Sequence, residues 1–372
     1  MKVVVISHYT QNPGTTHHLI RYLKEKAYAF LVLLLPLNST LPYRIIKMTR
    51  DKKEEFSYYS LRKLNYLLGP VFSLVTLFRE NYDLFIGVNP FNALVGWILK
   101  KLFCKRCLII FYSVDYSPRR FSNVLLNKLY HLFDNFAVRV SDFIWCSSKR
   151  IFRIRKTQKM IEKRVLYVPN GSWMKAENVQ KRELQKIDVI EFVFAGYLGE
   201  QYDLDIFIRE VNEKKNFKFH IFGDGPRKKE LQKISGSNII FHGTIPNEAL
   251  LMIFKTKNWI GVAPYNNRVS HTLYGSSLKV IEYLSCGLPV IVSTVVEIAD
   301  EIKKNRCGWI YSNIAQLRSI LKEIEASISR EYNKLSKNAL EYSKNFYWGK
   351  IYDQAFFDTF RLLRQKNSRE QT

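Results

Sequence analysis

Cysteine is scarce: five residues in 372, an odd number, of which only Cys104 and Cys107 form a C-x-x-C pair. No second pair completes a zinc site, and the count argues for a reduced, cytosolic protein rather than a disulfide framework. The pair reads either as a redox dithiol or as two positions on the way into the buried strand of KKLFCKRCLIIFYS. Long apolar runs are also lacking. YAFLVLLLPL and LLGPVFSLVTLF fall short of the ~20 apolar residues of a membrane span, so no transmembrane helix is expected. After Met1 and Lys2 the chain runs directly into VVVISHY, which has neither the apolar region nor the cleavage pattern of a signal peptide. No short repeat of fixed period appears, which argues against a solenoid. Carboxylates are few as well: 33 Asp and Glu face 58 Lys and Arg, for a net charge of +25. That excess favours an anionic partner, whether nucleic acid, an anionic bilayer or a phosphorylated small molecule.

What the chain has in quantity is alternation. KVVVIS, FLVLLLPL, DLFIGV, CLIIFYSVD and VSDFIWCSS are short apolar runs separated by amphipathic stretches such as THHLIRYLKEK and PFNALVGWILKKL. Parallel strands buried on both faces by helices produce this pattern. It starts again with IEFVFAGYLG and continues through FKFHIFGDGP, NIIFHGTI, WIGVAPY, PVIVS and CGWIYS. The α/β reading is two Rossmann-like doubly wound domains facing a cleft, 1–173 and 189–345, joined by a polar linker at 174–188. The aromatic-rich end, 346–372, is expected to return as a helix to the first domain.

GSSLKVIEYLSCGLPVIVS, from Gly275 to Ser293, reads as a helix with a start at two serines, a stop at Gly287 and a strand behind it. Its charges run against the helix dipole, with Lys279 in the first turn and Glu282 three residues later. One reading is a solvated Lys-Glu pair. In the other, Gly275 permits close approach, the free amides of Ser276, Ser277 and Leu278 receive an anion, and Lys279 adds its charge. Glu282 then accepts from two vicinal hydroxyls.

This segment, with FAGYLG, FGDGP, FHGTIPNEAL and GVAPY, resembles glycosyltransferase family 4, the retaining group 1 glycosyltransferases of GT-B fold. The resemblance covers most of the chain and is specific chiefly in 275–291. It implies a UDP- or GDP-linked sugar as donor, its diphosphate on the helix-start amides and its ribose on Glu282. It also implies donor contacts at Gly14, Gly196, Gly223 and Gly225, and a place for Asp115 near the transferred sugar. Retaining transfer in such enzymes proceeds on one sugar face with the leaving phosphate assisting, so the protein's task is electrostatic stabilisation and positioning. Asp115, Lys279 and Glu282 are the catalytic candidates. The chain departs from the family at Tyr274, where relatives often keep a first glutamate, and at Tyr197 and Tyr202, where they place an Arg and a Lys. Lys279, with Arg268 or Arg227, must then supply the charge against the diphosphate.

Other features have plain readings beside the chemical ones. FGDGP is a strand-to-helix turn or a backbone approached by a base or ribose. His17 and His18 fall in a first helical turn and Asp115 in a polar loop. Asp203 and Asp205 form a D-x-D that opens a helix, where acids cap; no essential metal and no cofactor is expected. The basic run at 149–164 and the apolar stretch at 61–78 share the first domain. Together they suggest a peripheral enzyme on the inner, cytoplasmic membrane face with a glycan or lipid-linked acceptor and no nucleic-acid partner. The alternatives are a sugar-nucleotide epimerase of the same fold and a degenerate protein that binds nucleic acid or anionic lipid by charge alone.

Overall fold

The computed structural model describes residues 1–9, 14–36, 41–49, 52–59, 65–103, 107–158, 164–179 and 187–369. Cys104, residues 10–13, residues 60–64, residues 159–163 of the basic run and residues 180–186 of the expected linker lie outside them. The chain divides into two compact units, Met1–Pro169 with Ile351–Thr372, and Asn170–Lys350.

The first unit contains β1 (Lys2–Tyr9), α1 (Thr15–Glu25), β2 (Ala29–Pro36), β3 (Tyr43–Met48), β4 (Lys53–Tyr58), α2 (Asn65–Leu77), β5 (Leu84–Val88), α3 (Pro90–Leu102), β6 (Leu108–Ser113), α4 (Val124–Val140), β7 (Phe143–Cys146), α5 (Lys149–Thr157) and β8 (Val165–Tyr167). Its sheet has the order β4-β3-β2-β1-β5-β6-β7-β8. Strand order reverses at β1, so the crevice of this sheet opens at the carboxyl ends of β1 and β5. The sequence pattern predicts parallel strands alone. The structure adds β3 and β4, both antiparallel, because their charged residues (YRIIKM and KEEFSY) suit a half-solvated side of the sheet that a covered parallel strand would not tolerate.

The second unit runs β9 (Ile190–Ala195), α6 (Leu204–Asn212), β10 (Phe217–Phe222), α7 (Lys228–Lys233), β11 (Ile239–Gly243), α8 (Asn247–Thr256), β12 (Ile260–Ala263), α9 (Ser270–Tyr274), α10 (Leu278–Ser285), β13 (Val290–Ser293), α11 (Ala299–Lys304), β14 (Gly308–Tyr311) and α12 (Ile314–Ser343). Its parallel sheet has the order β11-β10-β9-β12-β13-β14. The order reverses at β9, which places the second crevice at the carboxyl ends of β9 and β12. Phe192, Phe194, Phe219, Val262 and Ile291 are all fully buried in its core, as strands covered on both faces require. Of the stretch expected as a linker, the described ends belong to this unit, and the Ile187 amide donates to Ser329 Oγ of α12.

The last helix, α13 (Trp348–Arg369), begins in the second unit and from Ile351 belongs to the first. There Trp145 Nε1 donates to Thr359 Oγ1 at 3.1 Å, the Trp145 ring meets Phe356 edge-on at 5.3 Å, and the Tyr22 hydroxyl donates to Asp353. Of the aromatics of this helix, Trp348, Tyr352 and Phe356 are buried, while Phe357 faces solvent.

Candidate active site

At the crevice of the second sheet, the loop after β9 leaves with Gly196 at φ +147° and the loop after β10 with Gly223 at φ +127°. The two loops pack backbone on backbone. A Cβ on Gly223 would lie 1.9 Å from the Gly196 carbonyl oxygen, and one on Gly225 2.5 Å from that of Leu198. The Gly196 amide donates to Phe222 O and the Leu198 amide to Asp224 O. Loop packing thus accounts for the glycines of FAGYLG and FGDGP, with the left-handed backbone at two of them.

α10 is the helix predicted from GSSLKVIEYLSCGLPVIVS, and Gly287 beyond its end takes φ +74°. Its N-cap is Ser277, whose hydroxyl donates to the Tyr265 hydroxyl at 3.2 Å and makes no cap bond to the helix amides. The helix start is therefore open. A cavity of about 210 Å³ lies against it, lined by Gln201, Tyr202, Tyr265, Thr272, the Gly275–Ser277 turn and Val296. The turn is held from behind, where Asn170 Nδ2 donates to Ser276 O at 3.0 Å. Tyr274 ends α9 directly before it.

Lys279 does not stand where the sequence suggests. Its Nζ is closed off from solvent without a hydrogen-bond partner. It lies 3.9 Å from the centroids of the Phe194 and Tyr202 rings and 5.4 Å from that of Tyr265. Gly196 makes room for it, since a Cβ there would come within 2.7 Å of Nζ. Burial pushes the Lys279 ammonium well below the usual lysine range, and nearby Glu282 opposes this only in part. The correction is physical: an amine with a four-carbon stem in a first helical turn can fold inward when three aromatic faces receive it. Two of those rings, Tyr202 and Tyr265, also line the cavity.

Glu282 faces inward one turn on and is 7% exposed. Asn247 Nδ2, at the start of α8, donates to its Oε1 at 2.9 Å. Burial raises its carboxyl to about 7, with the Asn247 bond and Lys279 pulling the other way. The remaining cations proposed for the diphosphate are already engaged. Arg268 pairs with Asp203 and, at 4.0 Å, with Glu200. Arg227 is buried and donates to Tyr202 O, Asp205 and Glu230. Asp203 occupies the N-cap position of α6 but makes no side-chain cap bond, because its carboxylate accepts from Arg268 and Asn266 instead. The expected role of that aspartate as a helix cap is corrected accordingly.

Gly14 and Asp115 belong to the first unit. Gly14 precedes α1 with extended backbone, and its amide donates to His17 Nδ1 at 3.2 Å. The loop after β6 carries Asp115, whose Oδ2 accepts from Arg120 at 2.8 Å while Oδ1 is buried without a hydrogen bond. His17 and His18 are both half-buried, and burial lowers each, His18 to about 4.

Sequence reasoning missed three features. Asn247 and the cage of Phe194, Tyr202 and Tyr265 lie in quoted stretches, but their convergence on Glu282 and Lys279 has no signal in sequence spacing. Asn89, between β5 and α3, takes φ +78° and ψ 157°, a conformation that a non-glycine residue adopts at a cost of about 1–3 kcal/mol. Its Oδ1 is buried without a hydrogen bond. The Asn-Pro step after an apolar run was the available signal.

Residues 190–326 match the family model described as Glycosyl transferases group 1. This stretch is a group 1 glycosyltransferase domain. No protein of curated function matches the sequence. Among solved structures, sucrose-phosphate synthase from Thermosynechococcus elongatus is similar, with a TM-score of 0.74 at 15% identity over 99% of each chain. HepE of Anabaena, solved in complex with UDP, gives 0.70 at 15% over 95% of this chain and 98% of its own. The lipopolysaccharide outer core galactosyltransferase WaaB gives 0.70 at 16% over 96% and 99%. At such identities the likeness is one of fold, and the chain has the GT-B architecture of two Rossmann-like units.

Proposed function

We propose that this glycosyltransferase moves a sugar, with retention, from a UDP- or GDP-linked donor to a glycan or lipid-linked acceptor in surface polysaccharide or glycolipid synthesis. The observation that carries the reading is the open start of α10 against a cavity, with the buried carboxylate of Glu282 one turn on. Amides at the helix start suit a diphosphate. The Glu282 oxygen that Asn247 does not hold suits the ribose hydroxyls. Solved neighbours whose complexes contain UDP and UDP-glucose support a nucleotide-sugar donor. Gly275, Ser276, Ser277 and Leu278 take the diphosphate, and Lys279 joins it when its side chain leaves the aromatic cage. Gly196, Gly223 and Gly225 shape the base and ribose side, and Arg268 the edge near Asp203. Tyr274 takes the place where relatives hold the donor sugar, and Asp115 and Gly14 serve the transferred sugar and acceptor from the first unit.

Calorimetry with UDP and with GDP on the wild type and on Glu282→Ala tests the reading. A nucleotide isotherm that weakens at least about tenfold in the variant is expected, since a hydrogen bond to a charged group is worth roughly 1.5–3 kcal/mol. Binding of any polyanion with equal affinity, indifferent to Glu282, would overturn it.

A further inference from the structure

The first unit carries a helix turned inside out. α4 buries Tyr130, Asp134, Ala137 and Val138, while Val124, Leu125, Leu126, Leu129 and Leu132 all face solvent, Leu125 at 75% and Leu132 at 62% exposure. Leucines at such spacing belong in a core, and a solvated apolar stripe of this length marks a surface that meets something else. Phe133 and Phe136 fill the seam with α3 through ring contacts to Phe91 and Trp97. The layer continues from α3 to α2, where Leu102, Val71 and Val75 are likewise exposed.

Charge decides the occupant. From Leu84 to Phe133 the sole acidic residue is Asp115, which pairs with Arg120. The one carboxylate of α4, Asp134, is buried and held by Arg155 at 2.8 Å. Lys128 and Arg139 are exposed on the same helix, and Arg119 on the loop before it. A second copy docked on this face would bring like charges together, whereas an anionic bilayer neutralises them and receives the leucines. Among the described residues no helix is long and apolar enough to cross a membrane. We infer that α4 lies in the interface of an anionic bilayer, leucines inserted, with Lys128 and Arg139 at the headgroups. This places the surface on α4 rather than on the basic run at 149–164, and it rests on the glycosyltransferase reading only where it concerns a lipid-linked acceptor.

The test is co-sedimentation with vesicles of mixed phosphatidylglycerol and phosphatidylcholine, and with vesicles of phosphatidylcholine alone. The variants are Leu125→Glu with Leu132→Glu, and Lys128→Glu with Arg139→Glu. Wild type binds the anionic vesicles and releases from them as salt rises; each double variant loses about tenfold or more of that binding. Circular dichroism and UDP calorimetry on the same proteins keep fold and donor site in view. Nucleotide binding unchanged in the variants is expected, and its failure in the wild type counts against the donor reading alone. Wild type that ignores anionic vesicles, or a leucine variant that binds them undiminished, overturns the inference. So does a wild-type dimer that the leucine variant dissociates without any vesicle binding, which would make a second copy the occupant.

Discussion

Lys279→Met should make the protein more stable. The ammonium of Lys279 is sealed from solvent without a hydrogen bond or a contacting carboxylate. The effective penalty for such a buried ion is several kcal/mol, and three ring faces within 5.4 Å return about 2 kcal/mol of it. Methionine keeps the stem and removes the charge, so the net gain at neutral pH is about 1–3 kcal/mol. For a unit of about 180 residues that raises the thermal midpoint by roughly 2–4 °C per kcal/mol. The sign of the pH dependence follows from linkage. The folded-state pKa of Lys279 is depressed, so the folded protein binds fewer protons than the unfolded chain between the two values, and the wild type recovers stability as pH rises through that window. The advantage of Lys279→Met is therefore greatest below the depressed pKa and fades as pH rises toward the ordinary lysine range. Thermal scans of both proteins across pH measure this difference. A destabilised variant, or a gain independent of pH, would refute the reasoning. The same variant should bind UDP about tenfold more weakly, the loss of one charge-assisted contact.

Four further outcomes are expected. The Glu282 carboxyl, raised to about 7, is lowered again when it accepts from ribose, so binding releases a proton and UDP affinity rises as pH increases through that value; a flat calorimetric profile in the wild type would contradict this, and Glu282→Gln should abolish the slope. In the ligand-free protein the raised pKa means that stability is fully present below the ordinary glutamate range and is lost as pH rises through about 7, so Glu282→Gln gains up to roughly 3 kcal/mol above neutrality by denaturant titration. Gly223→Ala places a methyl 1.9 Å from a carbonyl oxygen at φ +127°, and should cost at least about 2 kcal/mol and weaken nucleotide binding together, whereas Asn89→Gly should stabilise by about 1 kcal/mol by relieving its backbone; equal stability of either variant to wild type would remove the strain argument.

How much of this was legible beforehand depended on distance along the chain. The parallel strands and α10 were readable because their signals are local: continuous apolar runs, two serines ahead of a periodic stretch, and Gly287 at φ +74° behind it. The antiparallel edge of β3 and β4 was not, because YRIIKM and KEEFSY are too short and too charged to differ from loop. The exposed leucines of α4 were equally hidden, since an apolar stripe looks the same whether it faces a core or solvent.

The sequence by itself determined the architecture of two successive Rossmann-like units and singled out Lys279 and Glu282 as charges in the wrong order for an isolated helix. Only the tertiary structure decided what surrounds them. It closed Phe194, Tyr202 and Tyr265 around the amine, turned Asn247 onto the carboxylate and committed Arg227 and Arg268 to acidic neighbours. Spacing along one helix fixes which residues share a face, but the partners of a buried charge come from strands and loops far away in sequence, and those partners set its pKa and the contacts open to it.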